Sequence, residues 1–334
     1  MKHLDSRMAI LVTGAAGFIG YHVCQELLSL GEEVVGIDDL NPYYDPALKR
    51  MRLSRLREQP AFAFIEGDIA VQSDLVSAVG RRDIKKVVHL AAQAGVRYSI
   101  ENPRAYVRSN LVGHLEILEM CRGLADFEHL VYASSSSVYG GNDKVPFCED
   151  DPVDHPVSLY AATKKSDELM SYTYAHLYGI PQTGLRFFTV YGPWGRPDMA
   201  YWLFAEAMLD GRPIRIFNDG EMWRDFTYID DIVEGITAVL NHPPAAPVPH
   251  RVYNLGNNRP EKLNYFVELL EEILGVKAVR QYEPMQPGDV VRTYADIAKI
   301  QRDIGFEPST DLKTGLSRFA DWYKVYRRER GKSL

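Results

Sequence analysis

Short apolar runs punctuate the first 190 residues at regular intervals. Ala9-Ile10-Leu11-Val12, Val34-Val35-Gly36-Ile37, Phe62-Ala63-Phe64-Ile65 and Val87-Val88-His89-Leu90-Ala91-Ala92 come first. Leu130-Val131-Tyr132-Ala133 and Gly184-Leu185-Arg186-Phe187-Phe188 follow. Runs this short and this continuous read as buried parallel strands. Helical patterns separate them, so the β-α-β-α order predicts an α/β, doubly wound parallel sheet with ligands at the carboxyl ends of its strands. Past Tyr191 the texture changes. Shorter elements are divided by Gly192-Pro193-Trp194-Gly195-Arg196-Pro197, Asn218-Asp219-Gly220 and Pro243-Pro244-Ala245-Ala246-Pro247. The pattern predicts a sheet domain over 8–190 and a smaller mixed α/β C-terminal lobe over 191–330, with the helix at 230–240 returning to the main sheet.

Composition narrows the function classes. A chain of 334 residues, 46% hydrophobic, can bury a core of this size. The net charge of -7, without a Lys/Arg block, argues against nucleic acid as a partner. No apolar segment reaches the length of a membrane span, and the N-terminal Met1-Lys2-His3-Leu4-Asp5-Ser6-Arg7 lacks the apolar region of a signal peptide. Cys24, Cys121 and Cys148 show no metal-ligand spacing and cannot all pair. They read as reduced thiols of a cytoplasmic protein without a metal site.

The first strand runs directly into Thr13-Gly14-Ala15-Ala16-Gly17-Phe18-Ile19-Gly20. The three glycines are expected to act differently. Gly14 makes the tight turn, Gly17 admits a pyrophosphate against backbone, and Gly20 lets the helix pack on the strand. The phosphates then sit at a helix N-terminus. A lone glycine triplet also serves simply as a turn, but three features follow it in order. Asp38 ends the second run where an acid meets a ribose hydroxyl, and Asp39 adds to the repulsion of a 2′-phosphate. No arginine lies beside them in sequence, so NAD is favoured over NADP. Gly67-Asp68-Ile69 ends the third run, where a carboxylate can meet an adenine amino group, and Leu90-Ala91-Ala92 brings small residues near the cofactor. The expected fold is Rossmann-type.

Tyr160-Ala161-Ala162-Thr163-Lys164 opens a helical run reaching Tyr178, so Tyr160 and Lys164 share a face. An ammonium beside a phenol favours phenolate, a base able to take a hydroxyl proton as hydride leaves the same carbon. Such a pair on an arbitrary helix is usually a surface pair. Ser134-Ser135-Ser136-Ser137, at the carboxyl end of the fifth run, supplies hydroxyls that could bond the reacting oxygen.

The glycine triplet, the serine run, the Tyr-x-x-x-Lys pair and the length together resemble the extended short-chain dehydrogenase/reductase superfamily, in its nucleotide-sugar epimerase and dehydratase branch, over about Met8 to Tyr326. The resemblance implies Ser135, Tyr160 and Lys164 as catalytic residues. It implies bound NAD held by Gly14, Gly17, Phe18, Ile19, Gly20, Asp38, Asp68, Ile69, Leu90, Ala91, Ala92 and Phe187, with Tyr160 and Lys164. It implies a UDP-sugar held by Arg97, Ser135, Ser136, Ser137, Thr189, Arg196, Arg224 and Asp289, the last two within Arg224-Asp225-Phe226 and Pro287-Gly288-Asp289. It also implies a homodimer built on the helical stretches 103–121 and 158–178. Arg196 has a purely structural alternative, a pair with Asp198.

Finer runs resemble the UDP-glucuronate 4-epimerases within that branch: Asn41-Pro42-Tyr43-Tyr44-Asp45, Ala94 to Ser99, Met285 to Asp289 and, most specific, Trp194-Gly195-Arg196-Pro197-Asp198-Met199. UDP-galactose 4-epimerases carry asparagine at the Thr189 position and arginine at Gln286. The decarboxylases carry glutamate where this chain has Ser137. A UDP-hexose 4-epimerase, a UDP-glucuronate decarboxylase and a non-catalytic NAD-binding regulator remain as alternatives. His89, on a buried strand, reads as a packed histidine, and Trp194 and Trp223 read as core.

Overall fold

The computed structural model describes residues 8–286 and 289–331. Residues 1–7, read above for signal character, and Pro287-Gly288 lie outside them. From the N-terminus, β1 (Met8–Thr13), α1 (Phe18–Ser29), β2 (Glu33–Asp38), α2 (Pro46–Leu56), β3 (Phe62–Glu66), α3 (Gln72–Val79) and β4 (Asp83–His89) alternate. Two short helices, α4 (Tyr98–Glu101) and α5 (Pro103–Tyr106), lead through a π-helical turn at Val107–Val112 into α6 (Gly113–Gly123). Then come β5 (His129–Ser135), a 3-10 turn at Ser136–Tyr139, α7 (Leu159–Tyr178) and β6 (Gln182–Phe187). The remainder holds β7 (Thr189–Tyr191), α8 (Ala200–Leu209), β8 (Ile214–Phe217), β9 (Trp223–Tyr228), α9 (Ile229–Leu240) and β10 (His250–Leu255). It closes with β11 (Pro260–Lys262), α10 (Leu263–Leu274), β12 (Arg280–Glu283), α11 (Ala298–Ile304) and α12 (Leu312–Glu329).

The chain forms two compact units. The first takes the described residues up to Gly140, Pro152–Arg186 and Val233–Tyr253; the second takes Gly141–Asp151, Phe187–Ile232 and the described residues from Asn254 onward. The main sheet has the order β10-β6-β5-β4-β1-β2-β3, with parallel pairing between β4 and β5, β4 and β1, β1 and β2, and β2 and β3. Both faces of β1 are covered, which is why Ala9 to Thr13 is uniformly buried and reads as a continuous apolar run. Leu11, Val35, Val87 and Leu130 meet Ile117 and Leu118 of α6 in one core. The strand order reverses at β1 and β4, the point where α/β sheets open a ligand crevice. The edge strand β10 had no counterpart among the expected strands.

Local signals fix α7, the helix that carries the Tyr-Lys pair. Ser158 Oγ accepts the Ala161 N–H at 3.1 Å as its N-cap, and Gly179 ends it in the left-handed region at φ 67°.

In the second unit β9 pairs parallel with β7 and antiparallel with β11, while β8 and β12 form a separate parallel pair. An aromatic cluster of Trp202, Phe319, Trp322 and Tyr323 joins α8 to α12. The Asp225 carboxylate is fully buried and accepts the N–H groups of Asn257, Asn258 and Ala295 at 2.6, 3.1 and 3.0 Å. It organises loops of this unit.

Three histidines are buried in the first unit. Burial pushes His89 down to about 3, His129 down to about 4, and His114 well below its ordinary value. Each folded value is depressed, so the unfolded chain takes up protons first as the pH falls below about 6.5. The stability these neutral rings hold above that value is therefore lost toward acid, about 2 kcal/mol per imidazole at about pH 5. The unfolding temperature should fall clearly between about pH 7.5 and about pH 5. An unchanged midpoint would mean that the rings are already hydrated in the native protein.

Candidate active site

The glycine turn takes the shape its sequence asks for. Gly14 has φ +68°, and a Cβ there would stand 2.8 Å from the Ala91 nitrogen. A Cβ on Gly20 would stand 2.1 Å from the Gly14 carbonyl oxygen, so α1 meets the turn only because glycine is present. Gly17 caps α1 without a side-chain acceptor, and the first turn holds no acidic residue. Its N–H groups are thus available to an anion. Phe18 is buried and Ile19 half-buried in that turn.

Asp38 ends β2 at 6% exposure. Its Oδ2 accepts the Ala16 N–H at 3.1 Å, and its Oδ1 accepts the Leu40 N–H at 2.9 Å. Sequence neighbours place no arginine beside it, but α2 folds back and supplies two cations. Lys49 Nζ lies 3.4 Å from Asp38 Oδ1, and the fully buried Arg52 donates to the Ala16 carbonyl at 2.9 Å and to Tyr44 Oη at 2.8 Å. The corner is therefore held from behind by α2. Asp68 follows β3 and pairs with Arg108 at 2.7 Å, with Ile69 buried beside it. Leu90, Ala91 and Ala92 follow β4 and are half-buried.

Thr13 joins β1 to β4. Its hydroxyl oxygen accepts the Leu90 and Ala91 N–H groups at 3.1 and 3.0 Å and lies 2.7 Å from His89 Nδ1. With its acceptor positions engaged, the hydroxyl donates to Nδ1, so the ring proton of His89 resides on Nε2. His89 is a packed histidine, as its strand position implies.

Ser135 closes β5 at 7% exposure, and its Oγ accepts the Ser137 N–H at 3.2 Å, capping the 3-10 turn. Ser136 and Ser137 are half-buried on that turn. Lys164 Nζ donates to the Ala133 carbonyl at 2.9 Å and to Asp167 Oδ2 at 3.0 Å. Tyr160 lies edge-on to Tyr106, with ring centroids 6.1 Å apart. Arg97 is exposed at the start of α4. The strand ends of the first unit thus carry Gly14, Gly17, Gly20, Asp38, Asp68, Leu90, Ala91, Ala92 and Ser135 on one edge of the sheet.

In the second unit Phe187 is buried at the end of β6, and Thr189 pairs in register with Phe226 of β9. Arg224 Nη1 donates to the Trp223 and Val291 carbonyls at 2.9 and 3.2 Å, which ties the segment after Asp289 to β9. Arg196 forms a bidentate pair with Asp198 at 3.0 and 2.5 Å. Trp194 packs on Trp322, and the Trp223 ring carries the Lys262 and Arg292 cations at 5.2 and 5.4 Å from its centroid.

Three supporting residues were not singled out from the sequence. Asn110 is buried in the π-helical turn; its Oδ1 accepts the Gln93 N–H at 2.8 Å, and its Nδ2 donates to the Gln93 carbonyl at 3.2 Å and to Thr163 Oγ1 at 2.9 Å. Thr163 in turn donates to the Tyr160 carbonyl at 2.8 Å. Glu168 and Arg186 form a buried bidentate pair at 2.8 and 2.9 Å, joined by the Ser134 hydroxyl at 2.7 Å and by Tyr139 Oη at 3.0 Å. Burial opposes the Glu168 charge, yet the Arg186 guanidinium outweighs it and holds the carboxyl below its ordinary value. The available signals were an asparagine within an apolar helical run, an arginine within a buried strand, and an acid four residues after Lys164.

Comparison with known proteins agrees with this geometry. The model of the NAD dependent epimerase/dehydratase family matches residues 10–256. The probable UDP-glucuronate 4-epimerase of Rhizobium meliloti is 47% identical over 337 residues, covering 96% of this chain and 98% of that protein. The UDP-glucuronic acid 4-epimerase of Bacillus cereus, solved with UDP-glucuronic acid and NAD, superposes with a TM-score of 0.88 at 37% identity, over 96% of this chain and 100% of that one. The UDP-glucose 4-epimerase of Thermotoga maritima, solved with UDP-glucose, follows at a TM-score of 0.86 and 32% identity, over 96% and 99%.

Removing one partner of the Glu168–Arg186 pair strands a buried charge. Arg186→Met should cost roughly 3–5 kcal/mol in equilibrium denaturation, and adding Glu168→Gln should recover a substantial part of it. A single-variant cost below about 1 kcal/mol would mean that Glu168 reaches water.

Proposed function

The chain belongs to the NAD dependent epimerase/dehydratase family, and on that premise we propose that it is an NAD-dependent UDP-glucuronate 4-epimerase, interconverting UDP-glucuronate and UDP-galacturonate. The observation that carries this reading is near-full-length similarity to UDP-glucuronate 4-epimerases, with Ser135, Tyr160 and Lys164 all present on the strand-end edge and helix of the first unit. When bound, NAD would supply a reversible hydride acceptor for C4 of the sugar, so that oxidation and re-reduction leave no net redox change. The uncapped first turn of α1 and the Gly14 and Gly20 positions that a Cβ would fill fit such a dinucleotide.

Tyr160 is read as the base that takes the O4 proton and gives it back, with Lys164 beside it and Ser135 bonding the reacting oxygen. Arg97, Arg196, Arg224 and Asp289 are proposed to bind the anionic UDP-sugar, Arg196 as a guanidinium already oriented by Asp198. Oxidation at C4 makes the uronate a β-keto acid, prone to lose CO2. We read Ser136, Ser137 and Thr189 as hydroxyls that bond the C6 carboxylate without repelling it and hold it near the ring plane, where decarboxylation lacks orbital overlap.

The exposed apolar residues Val107, Val112 and Leu115 on the first helical stretch and Leu169, Tyr172 and Leu177 on α7 support a homodimer through these helices. No helix among the described residues is long and apolar enough to cross a membrane. The three unbridged cysteines support a cytoplasmic location.

Incubating the purified protein with UDP-glucuronate, without added cofactor, should yield the anomeric proton NMR signal of UDP-galacturonate and no pentose. Tyr160→Phe should lower the rate at least about 100-fold. A pentose product would reassign the protein as a decarboxylase. Alanine at Ser136, Ser137 and Thr189 together should weaken uronate binding and release CO2; unchanged affinity with no CO2 would sink the carboxylate assignment. Leu169→Glu with Tyr172→Glu should convert a dimer to a monomer in light scattering, and a native mass already monomeric would refute the dimer.

A further inference from the structure

The ammonium of Lys164 has a carboxylate partner that the reaction scheme does not use. Asp167 follows three residues later, one turn along α7, and is 1% exposed. Its Oδ2 accepts from Lys164 Nζ at 3.0 Å, while the same ammonium donates to the Ala133 carbonyl at 2.9 Å. Its Oδ1 is buried without a hydrogen-bond partner. Leaving an interior carboxylate oxygen unpaired is destabilising, and a buried ion pair gives little stability in return. Stability alone is thus a poor account of this residue.

We infer that Asp167 is a positioning residue for the proton-transfer step: it holds the Lys164 ammonium against the Ala133 carbonyl, and its negative charge moderates the field of that ammonium at the Tyr160 phenol. The inference rests on reading Tyr160 and Lys164 as base and partner. An isolated ammonium acts as a point charge, whereas an ammonium with a carboxylate 3.0 Å away acts more nearly as a dipole, whose field fades faster with distance. The distinction matters for a base that must both take a proton and give it back. Too strong a field yields a phenolate too weakly basic to remove the O4 proton.

The other groups around Asp167 are neutral or paired among themselves. Glu168 on the same helix is paired with Arg186 at 2.8 Å and with Lys165 at 3.6 Å. His114, which packs from α6 and bonds the backbone of Asp167, and His89 on β4 are held neutral by burial. Tyr132 on β5 is held protonated by burial. Burial also pushes Asp167 up to about 6 against the pull of Lys164, so its charge is present at neutral pH and fades in mild acid.

The test needs no turnover. The tyrosinate absorbance of the NAD-loaded enzyme, less that of its Tyr160→Phe counterpart, follows the Tyr160 phenol alone through a pH titration. Asp167→Asn, similar in shape but uncharged, should move the midpoint of that difference down by about half to one pH unit. Asp167→Glu should move it back toward the parent value. A purely structural role would lower the melting temperature and leave the midpoint in place. An unmoved or rising midpoint in folded Asp167→Asn protein overturns the inference, and Asp167→Ser makes the same charge removal should the asparagine variant fail to fold. Turnover of UDP-glucuronate by the unaltered enzyme is read separately by NMR. Its absence would remove the proposed function while the phenol titration still decides the role of Asp167.

Discussion

Glu168 and Arg186 meet where three elements of the first unit converge, and the geometry of the catalytic candidates depends on that meeting. Glu168 belongs to α7, one turn beyond Lys164; Arg186 belongs to β6; Ser134, at the end of β5, donates its hydroxyl to the same carboxylate. Tyr139, at the end of the 3-10 turn, lies 3.0 Å from the guanidinium. The serine run and the Tyr-Lys helix are therefore fastened to one buried ion pair. Two nearly desolvated charges tolerate little displacement, because each is compensated by the other, by fixed hydrogen bonds and, for Glu168, by Lys165 at 3.6 Å. The pair is a poor source of net stability and a good source of fixed orientation.

A second fastening works nearer the start of α7. The Asn110 amide spans Gln93 after β4 and Thr163 in the first turn of α7, and Thr163 returns a hydrogen bond to the Tyr160 carbonyl. The widened backbone of the π-helical turn is where Asn110 resides, in keeping with the tendency of such turns to occur at functional sites. Tyr160 thus follows from two clamps in the N-terminal half of its helix, and neither clamp involves the phenol itself.

Much of the sheet was legible in the chain because a parallel strand covered on both faces leaves an unbroken apolar run. The strand starting at His250 escaped notice for the converse reason: it lies at an edge of the sheet, and His250-Arg251-Val252-Tyr253 carries polar residues that a central strand would not. The glycine turn, Asp38, the serine run and the Tyr-Lys pair were readable because each follows a strand end at short range. Lys49, Arg52, Asn110 and Arg186 were not, because their meaning lies in partners far along the chain. Asp225 shows the limit of local reading in the second unit. Nothing in its run points to the role its carboxylate takes, which is to accept three backbone N–H groups from two distant loops.

The hydroxyl of Thr13 has a consequence outside catalysis. Because it spends its proton on Nδ1 of His89, that ring exists as a single tautomer, enclosed and unprotonated through the whole neutral range. In a nitrogen-labelled sample His89 would give a pair of imidazole resonances that do not wander with pH while surface histidines titrate around them. The junction of β1 and β4 so carries its own spectroscopic marker, one whose loss would report the opening of the sheet at its switch point before any gross unfolding became visible.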